Sequence, residues 1–280
     1  FTIADTLDTA RLLHNRTKAR SGIAWNAARG TPLGHTFMFV MAAMGRPFLN
    51  LDRIGDEFDA EWPEGERLRP LLQSEEAFAT AEYLRELLDY SPNSILSMSW
   101  YERAKVYADG EAAMAYCATL LAPLFELNSD SPAHGVTEFL PHPCGPRGKP
   151  IAPVGGYALA IPSNVTPKRL TSVWEAVQSF TSPEIIKLYI ENGSLVTPRF
   201  SVSMDPEVRR ISPLISIVEG MARTRVLQYW PRPPIPEISD LIEIVGTQLH
   251  DLLQGALNPR QALAYAQNQA DALMRSRGHY

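Results

Sequence analysis

Residues 107–117 read Tyr107-Ala108-Asp109-Gly110-Glu111-Ala112-Ala113-Met114-Ala115-Tyr116-Cys117. Asp109-Gly110 is a turn signal, and the short apolar run after it, 112–117, has the length and flanks of a buried strand. Upstream, Gly22-Ile23-Ala24-Trp25 is a second run of the same kind. Downstream, residues 135–140 and 157–161 are two more strand-like runs, with Gly and Pro clustered between them over 141–156. The middle of the chain is therefore its most β-like part.

Outside that region the pattern is helical. Ile3, Leu7, Ala10 and Leu13 repeat at helical spacing. Thr31-Pro32 opens a second helix with proline in its first turn; it carries Phe37, Val40, Met41 and Met44 and ends at Gly45. Residues 46–72, rich in Pro, Gly and charge, read as a long surface excursion. Ser74-Glu75-Glu76 starts a helix whose apolar face is Phe78, Ala81, Leu84 and Leu88. After the β-like region, Thr166-Pro167 and Ser182-Pro183 are two more starts, the second helix ending at Gly193. A rigid Pro231 to Pro236 stretch leads into a strongly periodic helix (Ile238, Leu241, Ile242, Val245, Leu249, Leu252), and Asn258-Pro259 opens the last one. The order helix, strand, helix fits one domain with a central sheet. It fits equally a two-lobed α/β protein whose chain crosses between lobes more than once.

Composition narrows the function classes. The 280 residues are 45% hydrophobic and 20% charged, with a net charge of −5 and a mean hydropathy of −0.14. That is an ordinary globular balance, not a collagenous, coiled-coil or disordered one. An acidic chain lacks the basic footprint of a nucleic-acid binder. No apolar run approaches the ~20 residues of a membrane-spanning helix. The cysteines, Cys117 and Cys144, are too few for a disulfide scaffold and are compatible with one bridge or with two buried thiols.

Catalytic and metal motifs are scarce. No pair of the six histidines has the i, i+4 spacing of a zinc-binding helix. His134, His142 and Cys144 lack a fourth ligand. There is no nucleophile elbow, phosphate-binding loop or dinucleotide fingerprint. Three loops instead mix aromatic rings, which pack on the apolar faces of sugars, with planar polar groups that hydrogen-bond hydroxyls. They are Trp25-Asn26 through Arg29-Gly30-Thr31, then Gly155-Gly156-Tyr157, then Tyr229-Trp230-Pro231-Arg232. The competing reading of the same residues is core aromatics and solvated arginines.

An ordered series of landmarks resembles the extracellular solute-binding proteins of family one, the carbohydrate-binding components of bacterial ABC importers. Ile3-Ala4-Asp5-Thr6-Leu7 is similar to the family's opening helix. Tyr107-Ala108-Asp109-Gly110-Glu111-Ala112-Ala113-Met114 is similar to its "F-x-x-G-K-A-A-M". Gly135-Val136-Thr137-Glu138-Phe139-Leu140-Pro141 resembles a strand that ends in proline. Gly155-Gly156 through Ile161-Pro162 matches "G-G-x-x-x-x-I-P". Trp174 through Ser182 resembles "A-W-E-F-I-K-F-L-T-S", Gly193 through Pro198-Arg199 "G-x-x-P-x-R", and Leu253-Gln254-Gly255 with Asn258 to Leu263 the closing helices.

The resemblance implies a type II periplasmic-binding fold, two lobes of helix-flanked β-sheet with ligand in the cleft between them. It implies that the N-terminal part of the first lobe is absent from this chain. Residues 1–115 would then be the first part of the second lobe, 116–181 a first-lobe segment with hinge crossings, and 182–280 the return to the second lobe. The implied activity is capture of a sugar, polyol or short oligosaccharide for a membrane permease, at a periplasmic or extracellular location, with no catalysis and no cofactor or metal. Carried over residue by residue, the ligand-contacting set is Trp25, Asn26, Arg29, Thr31, Thr119, Gly155, Gly156, Tyr157, Arg199, Trp230 and Arg232. Leu120 stands near a position where many relatives place a Trp, so a stacking platform is missing there. The alternatives are an anionic sugar-like solute clamped by Arg29, Arg199 and Arg232, a carbohydrate-active enzyme using acids such as Glu237 and Asp240, and an interaction module without a small ligand.

Overall fold

Two short parallel strands, with helices packed around them, organise the larger part of the molecule. The computed structural model describes every residue except 16–19 and 157. The first half runs α1 (Ile3–Leu13), β1 (Ser21–Ala24), α2 (Thr31–Ala43), β2 (Arg53–Ile54), β3 (Glu57–Phe58), α3 (Glu75–Leu87), α4 (Trp100–Ala108), β4 (Ala112–Ala115) and α5 (Pro123–Glu126). The second half runs β5 (Ala152–Pro153), α6 (Pro167–Phe180), α7 (Pro183–Glu191), α8 (Phe200–Ser203), α9 (Pro206–Arg209), α10 (Pro213–Arg223), β6 (Leu227–Gln228), α11 (Ile238–Leu253) and α12 (Pro259–Ser276).

β1 pairs in parallel with β4, matching Ser21 to Ala112 and Ala24 to Ala115. All four residues of β1 are buried, as expected of a strand covered on both faces. The helices start where their caps dictate. Thr2 and Asp5 form a reciprocal capping box on α1, and Ser99 and Glu102 do so on α4. On α12, Asn258 Oδ1 accepts from the Gln261 N–H at 3.0 Å while Gln261 Oε1 accepts from the Asn258 N–H at 3.1 Å. Asn258→Ala is expected to lower stability by about 1 kcal/mol and Asn258→Asp to retain most of it, read by urea denaturation.

α2 is buried on nearly every side and crosses α11 at backbone distance. The crossing is made by Gly34, which leaves no room for a Cβ against the Ile242 carbonyl, and by Gly246, which leaves none against the Gly30 carbonyl. One main core joins α1, β1, α2, α3, α11 and α12, with Trp25, Phe37, Phe48, Leu72, Leu84 and Leu249 among its buried members.

Segment 46–72 departs from the expected surface excursion. Phe48, Leu49, Leu51, Ala60, Leu68 and Leu72 are all buried in the main core. Gln267 of α12 clamps the end of the segment, accepting from the Leu72 N–H and donating to the Pro70 carbonyl, both at 2.8 Å. Its apolar anchors follow no helical or strand period, so Pro and charge dominate its reading.

Two expected strands do not form. Residues 135–140 and 158–161 carry no ladder, and Val136 is 76% exposed. A strand's backbone groups need a neighbouring strand to bond to, and none among the described residues lies beside these segments. The remaining Tyr157 of the second run lies outside the described residues. Local pairing forms instead between β5 and β6, in parallel.

Segment 182–223 shares its buried contacts with the middle of the chain rather than with the main core. Leu195 and Leu214 pack with Ala108, Ala122, Phe125 and Ala133. Ile190, Val202, Val208 and Ile215 form a small cluster of their own. α6 buries no residue. It exposes Leu170, Trp174 and Phe180, and Phe180 lines an open groove of about 610 Å³.

Candidate ligand site at the strand ends

The carboxyl ends of β1 and β4 open on the same side, because the strands are parallel and in register. In open α/β sheets that end is where ligands bind. Trp25 and Asn26 leave β1 there; Tyr116 and Cys117 leave β4.

Trp25 is fully buried, and its indole N–H donates to Ser91 Oγ at 2.8 Å. Asn26 is buried as well. Its backbone carbonyl accepts from Thr36 Oγ1 at 2.9 Å, but its side-chain Oδ1 has no hydrogen-bond partner among the described residues. Tyr116 Oη shares a 2.5 Å hydrogen bond with Tyr83 Oη.

A track of rings borders these strand ends. Trp100 of α4 meets His35 of α2 edge-on at 5.0 Å between centroids. His35 meets Phe39 at 5.8 Å, one turn on. Phe39 lies 6.0 Å from His142, and His142 lies 4.8 Å from Tyr116. Arg103 stands over Trp100 at 5.5 Å. Arg232 Nη1 donates to His35 Nε2 at 3.2 Å. His35 Nδ1 lies 2.9 Å from the Thr31 carbonyl, so the bonding pattern assigns its proton to Nδ1.

The electrostatics follow from burial among cations. Burial first, then Arg232 and Arg103, hold His35 below its ordinary value despite the opposing bond to Thr31. Burial, then Arg103, bring His142 down to about 4. Burial raises the Cys117 thiol. Both cysteines are free thiols.

The His142 shift has a consequence for stability. Unfolded, the imidazole titrates near 6.5; folded, near 4. Between these values the unfolded chain binds the extra proton, so stability rises with pH through this window and is lost as pH falls towards 4. The full shift corresponds to roughly 3 kcal/mol. His142→Phe, which keeps a ring against Tyr116, is expected to flatten the pH dependence of Tm between pH 6.5 and 4. An unchanged slope would assign it to other groups.

The structure brings Asn26 and Arg232 to this site, with Trp25 beneath it. It places the other expected residues elsewhere. Arg29 is paired with Asp251 at 2.5 Å. The Thr31 N–H and hydroxyl donate to Glu243 at 2.7 and 3.1 Å, so Glu243 caps α2, whose N-cap Gly30 has φ +82°. Trp230 is buried against Phe58 at 5.0 Å. Arg199 Nε donates to the Thr181 carbonyl at 2.7 Å, among the helices of the second half. Thr119, Gly155 and Gly156 are exposed; Tyr157 lies outside the described residues. His35, Trp100, Arg103, Tyr116 and His142 carry no local motif for a ligand site. The one available signal was the Ser99-Trp100-Tyr101-Glu102 capping box, which announces α4.

No protein-family model matches the sequence. Solved structures do match over nearly the whole chain. An ABC transporter solute-binding protein from Agrobacterium radiobacter K84, in complex with ribitol, superposes with a TM-score of 0.82 at 24% identity, over 97% of this chain and 64% of its own. One from Agrobacterium vitis S4, with bound D-mannitol, gives 0.77 at 18% identity, over 99% and 66%. Maltose-bound MalE3 from T. maritima gives 0.76 at 19% identity, over 97% and 65%. The fold is that of the type II periplasmic-binding proteins. The chain spans about two thirds of the length of these structures. Among the described residues no helix is long and apolar enough to cross a membrane.

Proposed function

We propose that the chain is part of the ligand-capturing component of an ABC importer, binding a sugar, polyol or short oligosaccharide and delivering it to a membrane permease from a periplasmic or extracellular location. The observation that carries this reading is the type II fold shared with ribitol-, mannitol- and maltose-bound proteins over nearly all of this chain. The strand-end site supports it. Rings flank two buried, unpartnered polar atoms, Asn26 Oδ1 and His142 Nδ1, which suit hydroxyl groups. Ligand binds between two lobes and hinge closure buries it, without bond making or breaking.

In this reading residues 1–115 and the closing helices α11 and α12 form one lobe, since they share the main core. Segment 116–181 belongs to the other lobe. The return is expected from 182, but the helices between 182 and 223 pack with the middle of the chain, so in this reading they stay with 116–181 and the return comes near β6. Asn26 and Arg232 contact ligand; Gly155, Gly156 and Tyr157 are candidates from the opposing lobe, along with Thr119. Arg29 and Thr31 steady the joint of α2 with α11.

The test is thermal denaturation of the whole natural protein with ribitol, D-mannitol, maltose and a broader carbohydrate panel. A ligand at 100 times its Kd is expected to add about 2.7 kcal/mol of stability. No shift with any carbohydrate would sink the proposal, and release of reducing sugar from glycosides would favour an enzyme.

A further inference from the structure

Among the described residues, one buried arginine lacks the carboxylate partner that several exposed and half-buried arginines have. Arg29 is paired with Asp251, Arg69 with Glu66 and Asp271, Arg147 with Glu75 and Glu76, and Arg209 with Glu219. Arg103 is only 6% exposed, yet no carboxylate of the described residues pairs with it, and its Nε has no hydrogen-bond partner. The groups around it repeat the imbalance. Cys117 is the group whose charge opposes the loss of its proton, and that thiol is itself held protonated by burial. His35 feels Arg232 and Arg103; His142 feels Arg103; no carboxylate acts on either ring.

A buried guanidinium without a counter-ion is costly. It is the residue type whose planar fork matches a carboxylate with two parallel hydrogen bonds. His142, which feels the charge of Arg103, has its Nδ1 buried without a partner, and Asn26 Oδ1 at the carboxyl end of β1 is buried without one as well. One buried cation and two neutral polar atoms thus stand unpartnered on the same strand-end side, with the exposed Arg232 on His35 and the partly exposed ring of Trp100 beside them.

We infer that this site takes a sugar acid, a polyhydroxylated ligand bearing one carboxylate, with Arg103 receiving the carboxylate and Asn26 and His142 receiving hydroxyls. The inference rests on the proposed capture function and adds the ligand's charge to it. It differs from a clamp of Arg29, Arg199 and Arg232, since Arg29 and Arg199 already have partners. The one buried fork suits a monoanion better than a dianionic phosphate ester, because burial and nearby cations disfavour the charged form of both histidines and the second cation, Arg232, is exposed and set on His35.

The experiment is calorimetric titration of the whole natural protein with matched pairs: D-gluconate against D-glucitol, D-ribonate against ribitol, D-glucuronate and D-galacturonate against the parent hexoses, and D-glucose 6-phosphate. The expected result is that at least one acid binds tenfold or more tightly than its neutral counterpart. Arg103→Met, checked for folding by circular dichroism, is expected to bring the acid down to the level of the neutral ligand. If Arg103→Met does not fold, Arg103→Lys is read instead, and the acid-to-neutral ratio is expected to fall at least threefold. An unchanged ratio in the folded variant overturns the inference. Neutral ligands binding as tightly as the acids overturn it while leaving the capture function standing. Preference for the phosphate ester overturns the carboxylate assignment. Binding of no member of the panel overturns both.

Discussion

Replacing Gly246 by valine is expected to leave the protein unfolded or destabilised by more than about 3 kcal/mol, the scale of severe backbone and packing disruption. The reason is spatial. A Cβ at 246 would overlap the backbone carbonyl of Gly30 and approach the Gly34 amide, and neither is a flexible side-chain end that can swing away. α2 would have to lift from α11. That lifts buried Leu33, Phe37 and Met41 off Ile242, Val245 and Leu249, all members of one core. It also pulls Thr31 from Glu243, undoing the cap of α2. Gly255→Ala, two residues past the end of α11 and away from the crossing, is the control: its φ is +80°, but a Cβ there meets nothing within 4 Å. It should cost only backbone strain, of order 1 kcal/mol. Circular dichroism with urea denaturation separates the two. Equal, small losses would show that the α2–α11 crossing yields easily.

Trp25→Ala is expected to cost about 3–5 kcal/mol, the range for emptying a large aromatic from a packed core. Trp25 has no exposed surface and lies under the carboxyl end of β1. Its truncation leaves a cavity and strands Ser91 Oγ, whose partner is the indole N–H at 2.8 Å. Ser91 Oγ itself donates to the Leu87 carbonyl at 2.7 Å, so the end of α3 is tied into the same arrangement. Trp25→Phe keeps most of the volume and loses the indole donor. It is expected to cost about 1–3 kcal/mol, mainly for the unpaired polar group and the partial void. The graded series is read by denaturation midpoints at constant m. Should Trp25→Phe cost as much as Trp25→Ala, the hydrogen bond rather than the ring volume would dominate.

The elements that were legible are those whose local rules agree with their tertiary setting. α1, α3 and α12 carry side-chain caps and an apolar face; α11 carries a long periodic face. β1 and β4 were visible as short apolar runs, although their parallel register was not. Segment 46–72 misled because its buried anchors are spaced without period. Segments 135–140 and 158–161 misled for the opposite reason, since their composition suits a sheet but no ladder partner lies beside them. At the site, Asn26 follows a readable strand and Arg232 lies within a readable Pro-rich stretch. His35, Arg103, His142 and Tyr116 come from four separate segments, and only folding brings them together. Nor can a sequence distinguish a ring that fills a core from one that offers a face; burial decides, and it places Trp25 and Trp230 inside.

The clamp of Glu243 on the start of α2, together with the glycine crossing one turn further along α11, has a bearing on motion. α2 carries His35 and Phe39, so the wall of the site on that side is anchored before any ligand arrives. Amide hydrogens along α2 and the middle of α11 should exchange with solvent only through global opening, so a bound ligand should slow all of them by one common factor, 1 + L/Kd with L the free ligand concentration. Exchange without ligand should be fastest in helices such as α6, which bury little and open locally most easily.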